Sequence, residues 1–219
     1  TDDIHRQTAQ GDTALTLAAA AGHADVVELL LDKGAQQTHK DAALASAAAA
    51  GQHKMIGLLV KRGANVNQAD AQGMTPLHRA ADHGHMLAVS ALVCENADCQ
   101  SQTWDGNTAL LLAAAQGHED VVKMLAKIAD DIDHVNKDGD SALILAARNG
   151  HAHIVQQLLD NAAQGGLVNH KKESARSAAF AAGHAQVVQL LRSSDAPDSA
   201  EGMSSASLPA KASKATDEQ

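Results

Sequence analysis

Apolar residues along this chain come in two alternating textures. One is a run of small residues, such as Ala18–Ala21, Ala47–Ala50 and Ala113–Ala115, followed within two residues by glycine. The other is a stripe of larger residues at helical spacing, such as Val26, Val27, Leu29, Leu30 and Leu31, or Val121, Val122, Met124 and Leu125. The alternation predicts helices in pairs. Alanine-rich helices allow neighbours to approach closely and so form a crowded inner layer, while the larger stripes form an outer one. Thr75-Pro76 marks the start of an inner helix, because a hydroxyl caps the free N–H groups and proline suits the first helical position. Gly34, Gly63 and Asn96 read as left-handed caps that end outer helices.

The alternation has a fixed period. Thr13, Ala42, Thr75, Thr108, Ser141 and Ser174 stand 33 residues apart, except that the first step is 29. Nine residues after each comes Gly22, Gly51, Gly84, Gly117, Gly150 or Gly183, and all but Gly51 precede a histidine. Thr75-Pro76-Leu77-His78-Arg79-Ala80-Ala81 is the fullest form of the motif. In period and motif the chain resembles the ankyrin-repeat family over about residues 1–192. The resemblance implies an all-α solenoid of helix-turn-helix units joined by β-hairpin fingers. Six repeats are expected, starting near residues 8, 41, 70, 103, 136 and 169.

Departures from the pattern carry their own expectations. The short first step predicts a shortened hairpin between the first two repeats. Ala42-Ala43 in place of Thr-Pro, with Gln52 in place of His, predicts that repeat two is weakly capped and locally mobile. Arg176 and Phe180 replace Leu and Ala in repeat six, as in a terminal cap whose outer side faces water. Residues 193–219 are mostly Ser, Ala, Asp, Lys and Pro, and are expected to be a disordered tail that folding does not need.

Composition narrows the choice of partner. The chain is 45% hydrophobic, yet it has one Trp, one Phe and no Tyr, so its core must rest on repeated aliphatic contacts. A net charge of -9 without any Lys/Arg block argues against nucleic acid. No apolar run approaches the roughly 20 residues of a membrane span. Cys94 and Cys99 are too few for a disulfide scaffold, and whether they pair is open. Thr1 in place of Met tilts the expected compartment of this soluble chain toward the periplasm over the cytoplasm.

The 13 histidines invite a metal reading, above all His83-Gly84-His85 and His151-Ala152-His153. Neither pair brings a third ligand at a recognised spacing, and the resemblance assigns the Gly-His histidines to hydrogen bonds between loops. No nucleophile elbow, His-Glu-x-x-His or phosphate loop is present, so neither a cofactor nor enzymatic activity is expected. Cys99 aligns with Val66 and reads as a small buried hydrophobe.

The resemblance implies a non-enzymatic protein-binding module that uses its concave face and fingers, monomeric on its own. Positions that the architecture leaves free suggest where. Inner-helix ends carry Asp82 and His83, then Gln116, then Arg148 and Asn149, while other repeats offer alanines there. Met74, Trp104, Asp105 and Asn107 sit near finger tips, and the next finger bears Lys137, Asp138 and Asp140. Trp104 reads as an anchor, or else lies flat on the next finger. The acidic edge implies a partner protein with a basic element and an apolar pocket. By analogy with stand-alone bacterial arrays, the chain is expected to act as an inhibitor or immunity protein of an enzyme. The alternative is a metal- or small-molecule-binding sensor or enzyme built on the His-rich turns.

Overall fold

The structure is a computed structural model that describes residues 2–9 and 11–194. Of the expected tail 193–219, Ser193 and Ser194 belong to the last helix, and residues 195–219 lie outside the described residues. Among the described residues, a short 3-10 turn at Asp2–His5 is followed by twelve α-helices in pairs. They are α1 (Ala14–Ala21) and α2 (Ala24–Asp32), α3 (Gln37–Ala49) and α4 (His53–Lys61), then α5 (Pro76–Asp82) and α6 (Met86–Cys94). The second half continues with α7 (Ala109–Gln116) and α8 (Glu119–Ile128), α9 (Ala142–Arg148) and α10 (Ala152–Asp160), then α11 (Ala175–Ala181) and α12 (Ala185–Ser194).

Side-chain caps start the inner helices. Thr13, Thr75, Thr108, Ser141 and Ser174 each accept the backbone N–H three residues on, at 3.2–3.4 Å. The inner helices end on the turn glycines, where the next N–H reaches back five residues, as His85 does to the Ala80 carbonyl at 2.9 Å. Leu15, Leu44, Leu77, Leu110 and Leu143 are buried beneath the caps, and the paired alanines behind them are buried against the neighbouring units. The core is thus one stripe of small contacts running through all the pairs.

The connections between pairs are simpler than hairpins. Gly73, Gly106 and Gly139 each donate N–H to the residue three before, closing tight turns at 2.8–3.0 Å. Only two isolated bridges occur, Val135–Ser141 and Val168–Ser174, and no strand forms among the described residues. The chain reaches the next helix cap within one paired residue, too early for a ladder to grow. Successive tips are nonetheless tied together. Trp104 N–H donates to the Gln72 carbonyl at 3.2 Å, Lys137 to Asp105 at 2.9 Å, and His170 to Asp138 at 3.0 Å.

Between the first two pairs the expected short hairpin is replaced by helix. α3 spans 13 residues, so the segment Gln37–Asp41 adds a turn at its N-terminus. Gln36 supplies no side-chain cap, but the added turn is fastened to the end of α4. Gln37 donates to the Gly63 carbonyl at 2.7 Å, Lys40 to Arg62 at 3.1 Å, and Asp41 accepts the Asn65 N–H at 2.7 Å. The first two bonds satisfy carbonyls that a helix end otherwise leaves open, and the third satisfies a backbone N–H just beyond it. The second pair is therefore held by bonds between its own two helices where its cap is weak.

His78 shows why the full motif takes its form. Its Nε2 lies 3.0 Å from the Ser101 carbonyl, which fixes the proton on Nε2. Its Nδ1 is then free to accept the Thr75 N–H at 3.1 Å and the Thr75 hydroxyl at 2.9 Å. A second proton on Nδ1 would oppose two donors in a site that is 1% exposed.

Two outcomes follow for stability. Hydrogen exchange is expected to be fast at amides 37–41, which lack a side-chain cap, but as slow across 43–49 as across 77–82; fast exchange across all of 37–49 would restore repeat two as the weak unit. Burial pushes the His78 imidazole below its ordinary value of 6.5, outweighing the hydrogen bond to Ser101. Its stabilising contribution is therefore complete above about pH 6.5 and is lost as pH falls toward the depressed folded-state value. Urea midpoints between pH 7.5 and 5.5 should fall less for His78→Asn than for the parent chain, although the variant starts lower. Parallel losses would relieve His78 of this role.

Candidate protein-binding surface

The residues singled out in the sequence gather in two rows, one along the turn tips and one along the ends of the inner helices. In the tip row, Trp104 is 67% exposed while its backbone is tied to Gln72. The edge of the indole rests on the preceding tip, not the next one. A Cβ added at Gly73, whose φ is +75°, would lie 2.0 Å from Trp104 Cδ1. Only glycine leaves room for this seat, so the ring is held at its edge and presents a face to solvent.

The neighbours of Trp104 divide into outward and inward groups. Asp105, Lys137 and Asp138 are exposed, and their side chains extend from the tied tips. Met74 is half-buried within its turn, where its N–H meets Asp70 Oδ1 at 2.9 Å. Asn107 accepts from Asn136 Nδ2 at 2.9 Å, so it links two tips instead of facing a partner.

The second row is partly self-engaged. Gln116 donates to Asp82 Oδ1 at 3.0 Å and Asn149 donates to the Ala115 carbonyl at 2.8 Å, each bond crossing from one pair to the next. His83, Gln116 and Asn149 nonetheless remain exposed. His83 Nδ1 lies 2.9 Å from the Arg79 carbonyl, and its ring stacks on His85 at 6.1 Å between centroids.

Asp140 and Arg148 have a different primary role from the one their sequence positions suggested. Arg148 grips Asp140 through two bonds of 2.6 and 2.8 Å and reaches Glu173 at 3.2 Å, while Asn169 donates to both carboxylates. Asp140 is only 4% exposed. Burial alone would raise its carboxyl, but the bonds from Arg148 and Asn169 prevail and hold it below the usual carboxylate range. Bonding to Asp140 raises the Arg148 guanidinium in turn. The acidic edge is also thinner than the sequence count suggests, because Asp133 accepts the Gln164 N–H and amide at 2.9 and 2.8 Å. Sequence reasoning did not find the matching pair Arg79–Asp70. Its signal was a lone arginine on one inner helix beside an aspartate at the base of the preceding turn.

The His-rich turns hold the array together. His85, His118, His151 and His184 each point Nε2 at the carbonyl 36 residues earlier, at 2.8–3.2 Å. His153, the other half of its pair, meets Glu119 at 3.1 Å. Among the described residues no three His, Cys, Asp or Glu side chains converge on a point where a metal ion would sit. Cys99 is half-buried and its thiol is pushed up by burial. Cys94 and Cys99 are both free thiols. No described helix is long and apolar enough to cross a membrane.

Arg148→Ala is expected to lower stability by about 2 kcal/mol, short of the full cost of stripping a buried pair because Arg148 is one-third exposed. The deficit should shrink in acid, since a depressed Asp140 contributes only above its folded-state value. Urea unfolding at pH 7 and pH 3 tests this, and an unchanged midpoint at pH 7 would make the network inert.

Comparison with known proteins agrees with the geometry. A family model described as ankyrin repeats (3 copies) matches residues 1–70, 47–134 and 128–200. No curated protein matches the chain significantly. With paired helices, glycine-histidine turns and a family match along nearly all of its described length, the chain belongs to the ankyrin-repeat family, whose repeats serve generally as protein–protein interaction modules.

Proposed function

We propose that this chain binds a partner protein through the surface centred on Trp104, and acts by occupying that partner without chemistry of its own. The observation that carries the reading is the exposed indole pinned on Gly73. A rigid aromatic at a tied tip loses little freedom on binding, which is what makes such residues hot spots. Asp105 and Asp138 are exposed along the same row of tips, and His83, Gln116 and Asn149 are exposed along the inner-helix ends. The complement to this arrangement is a partner with an apolar pocket beside a basic element. Stoichiometric inhibition of an enzyme is the mode of action we propose.

Affinity capture from the native host, read by quantitative mass spectrometry, should enrich a protein on the parent chain that is lost on Trp104→Ala. For that partner, Trp104→Ala is expected to weaken binding by about 2 kcal/mol, roughly thirtyfold. Gly73→Ala should weaken it in part, because the indole is retained but unseated. Equal affinity of the parent and the folded Trp104→Ala variant would remove this surface from consideration.

A further inference from the structure

The outer helices repeat the same places after each turn glycine, so a residue on one can be compared with its equivalents on the others. Three places on stand Asp25, Lys54, Asp120, His153 and Gln186, all polar and all exposed, but α6 has Leu87 there, 63% exposed. Eleven places on stand Lys33, Arg62, Glu95, Asn161 and Ser194, but α8 ends on Ile128, 41% exposed. Among the described residues, α6 is also the only outer helix without a charged side chain. Polar residues in every other repeat show that packing within the array asks for no apolar side chain at these places. Two apolar residues there, on neighbouring helices, call for contact with something outside it.

The same two helices border a groove in the middle of the array. α6 approaches α8 less closely than it approaches α4, and a groove of about 390 Å³ lies between α6 and α8. Met86, Met124 and Ile128 give it apolar walls, and Asp120, Lys123 and Lys127 line it from α8. Leu87 adjoins Met86 in the first turn of α6. Spaced three and four residues apart, Asp120, Lys123 and Lys127 follow one another along one face of α8. All three are exposed, and their side chains make no ion pair or hydrogen bond among the described residues. In a chain of net charge -9, this is an apolar groove with two uncommitted cations beside it.

We propose that this groove is a second binding surface, on the outer helices, and that its occupant is an amphipathic helix of a partner protein whose apolar stripe is flanked by carboxylates. A helix laid between two others places side chains three and four residues apart into the groove, and methionine walls adapt to their shape. The carboxylates of the occupant meet Lys123 and Lys127, and its positive N-terminal end lies by Asp120. Leu87 and Ile128 extend the apolar contact on either helix. The chemistry is opposite to that of the acidic tips, so the two surfaces select different partners.

Fluorescence anisotropy tests this with two labelled synthetic helices of about four turns. One has leucine along one face and glutamate on both flanks, and the other has lysine for every glutamate. The net charge of -9 favours the lysine helix over most of the chain's surface, so a preference for the glutamate helix reports a local cationic site. At physiological salt, where distant charges are screened, the glutamate helix should bind at least about tenfold tighter than the lysine helix. Lys123→Glu/Lys127→Glu should reverse that order. Leu87→Gln should weaken the glutamate helix by at least about tenfold. Its helicity and urea midpoint should stay those of the parent, because Leu87 is exposed. Trp104→Ala should leave binding unchanged, which separates this surface from the tips. The proposal is overturned by a glutamate helix that does not bind, by a lysine helix that binds as tightly, or by undiminished binding to the folded Leu87→Gln and Lys123→Glu/Lys127→Glu variants. Loss of binding with Trp104→Ala would place the helix on the tips and overturn it as well.

Discussion

The structure depends on how closely one helix pair can approach the next at the turn glycine. His118 lies where a Cβ on Gly84 would stand 2.4 Å from its ring, and its Nε2 donates to the Asp82 carbonyl at 2.8 Å. A carbonyl at a helix end, otherwise turned to water, thereby gains a fixed donor from the neighbouring unit. The same step, repeated along the array, sets the spacing of the inner helices, and that spacing admits only alanine at positions such as Ala80, Ala81, Ala113 and Ala114. The shortage of aromatic residues is thus a consequence of packing. Large rings have no place inside, and the chain's one Trp and one Phe both stand in the open.

Much of this was legible in the sequence, because the inner-helix caps and turn glycines act locally. A hydroxyl three residues before the N–H that donates to it, or a glycine in a left-handed turn, needs no distant residue to be understood. What the sequence hid depends on partners outside the local stretch, in another helix or turn. The extra turn of α3 exists because Gln37 and Lys40 find carbonyls at Gly63 and Arg62, and nothing in Gln37–Asp41 announces those acceptors. Arg148 looked like an open recognition residue because its ligands, Asp140 and Glu173, lie in two different turns. The seat of Trp104 on Gly73 was missed in direction for the same reason: the sequence supplies both residues but not which tip leans on which.

The candidate surface was legible in part. Its rows came from positions left free by the repeat, and Trp104, Asp105, His83, Gln116, Lys137, Asp138 and Asn149 are indeed exposed. Met74, Asn107, Asp140 and Arg148 instead stiffen the surface from beneath. Such a division is physically useful. Side chains that tie one tip to the next, like Asn107 to Asn136, remove freedom that a partner would otherwise have to remove on binding.

The joints inside the array and the surface outside it are therefore one system. Gln72, Asp105 and Asp138 accept from the tip that follows each, so the tips are spaced by the same step that the alanines fix within. A change at a buried joint would move Trp104 relative to Asp138 even though neither touches the joint. Small-to-large substitution in the inner layer should accordingly disturb recognition as well as stability, because the alanine positions inside have no room for an aromatic ring.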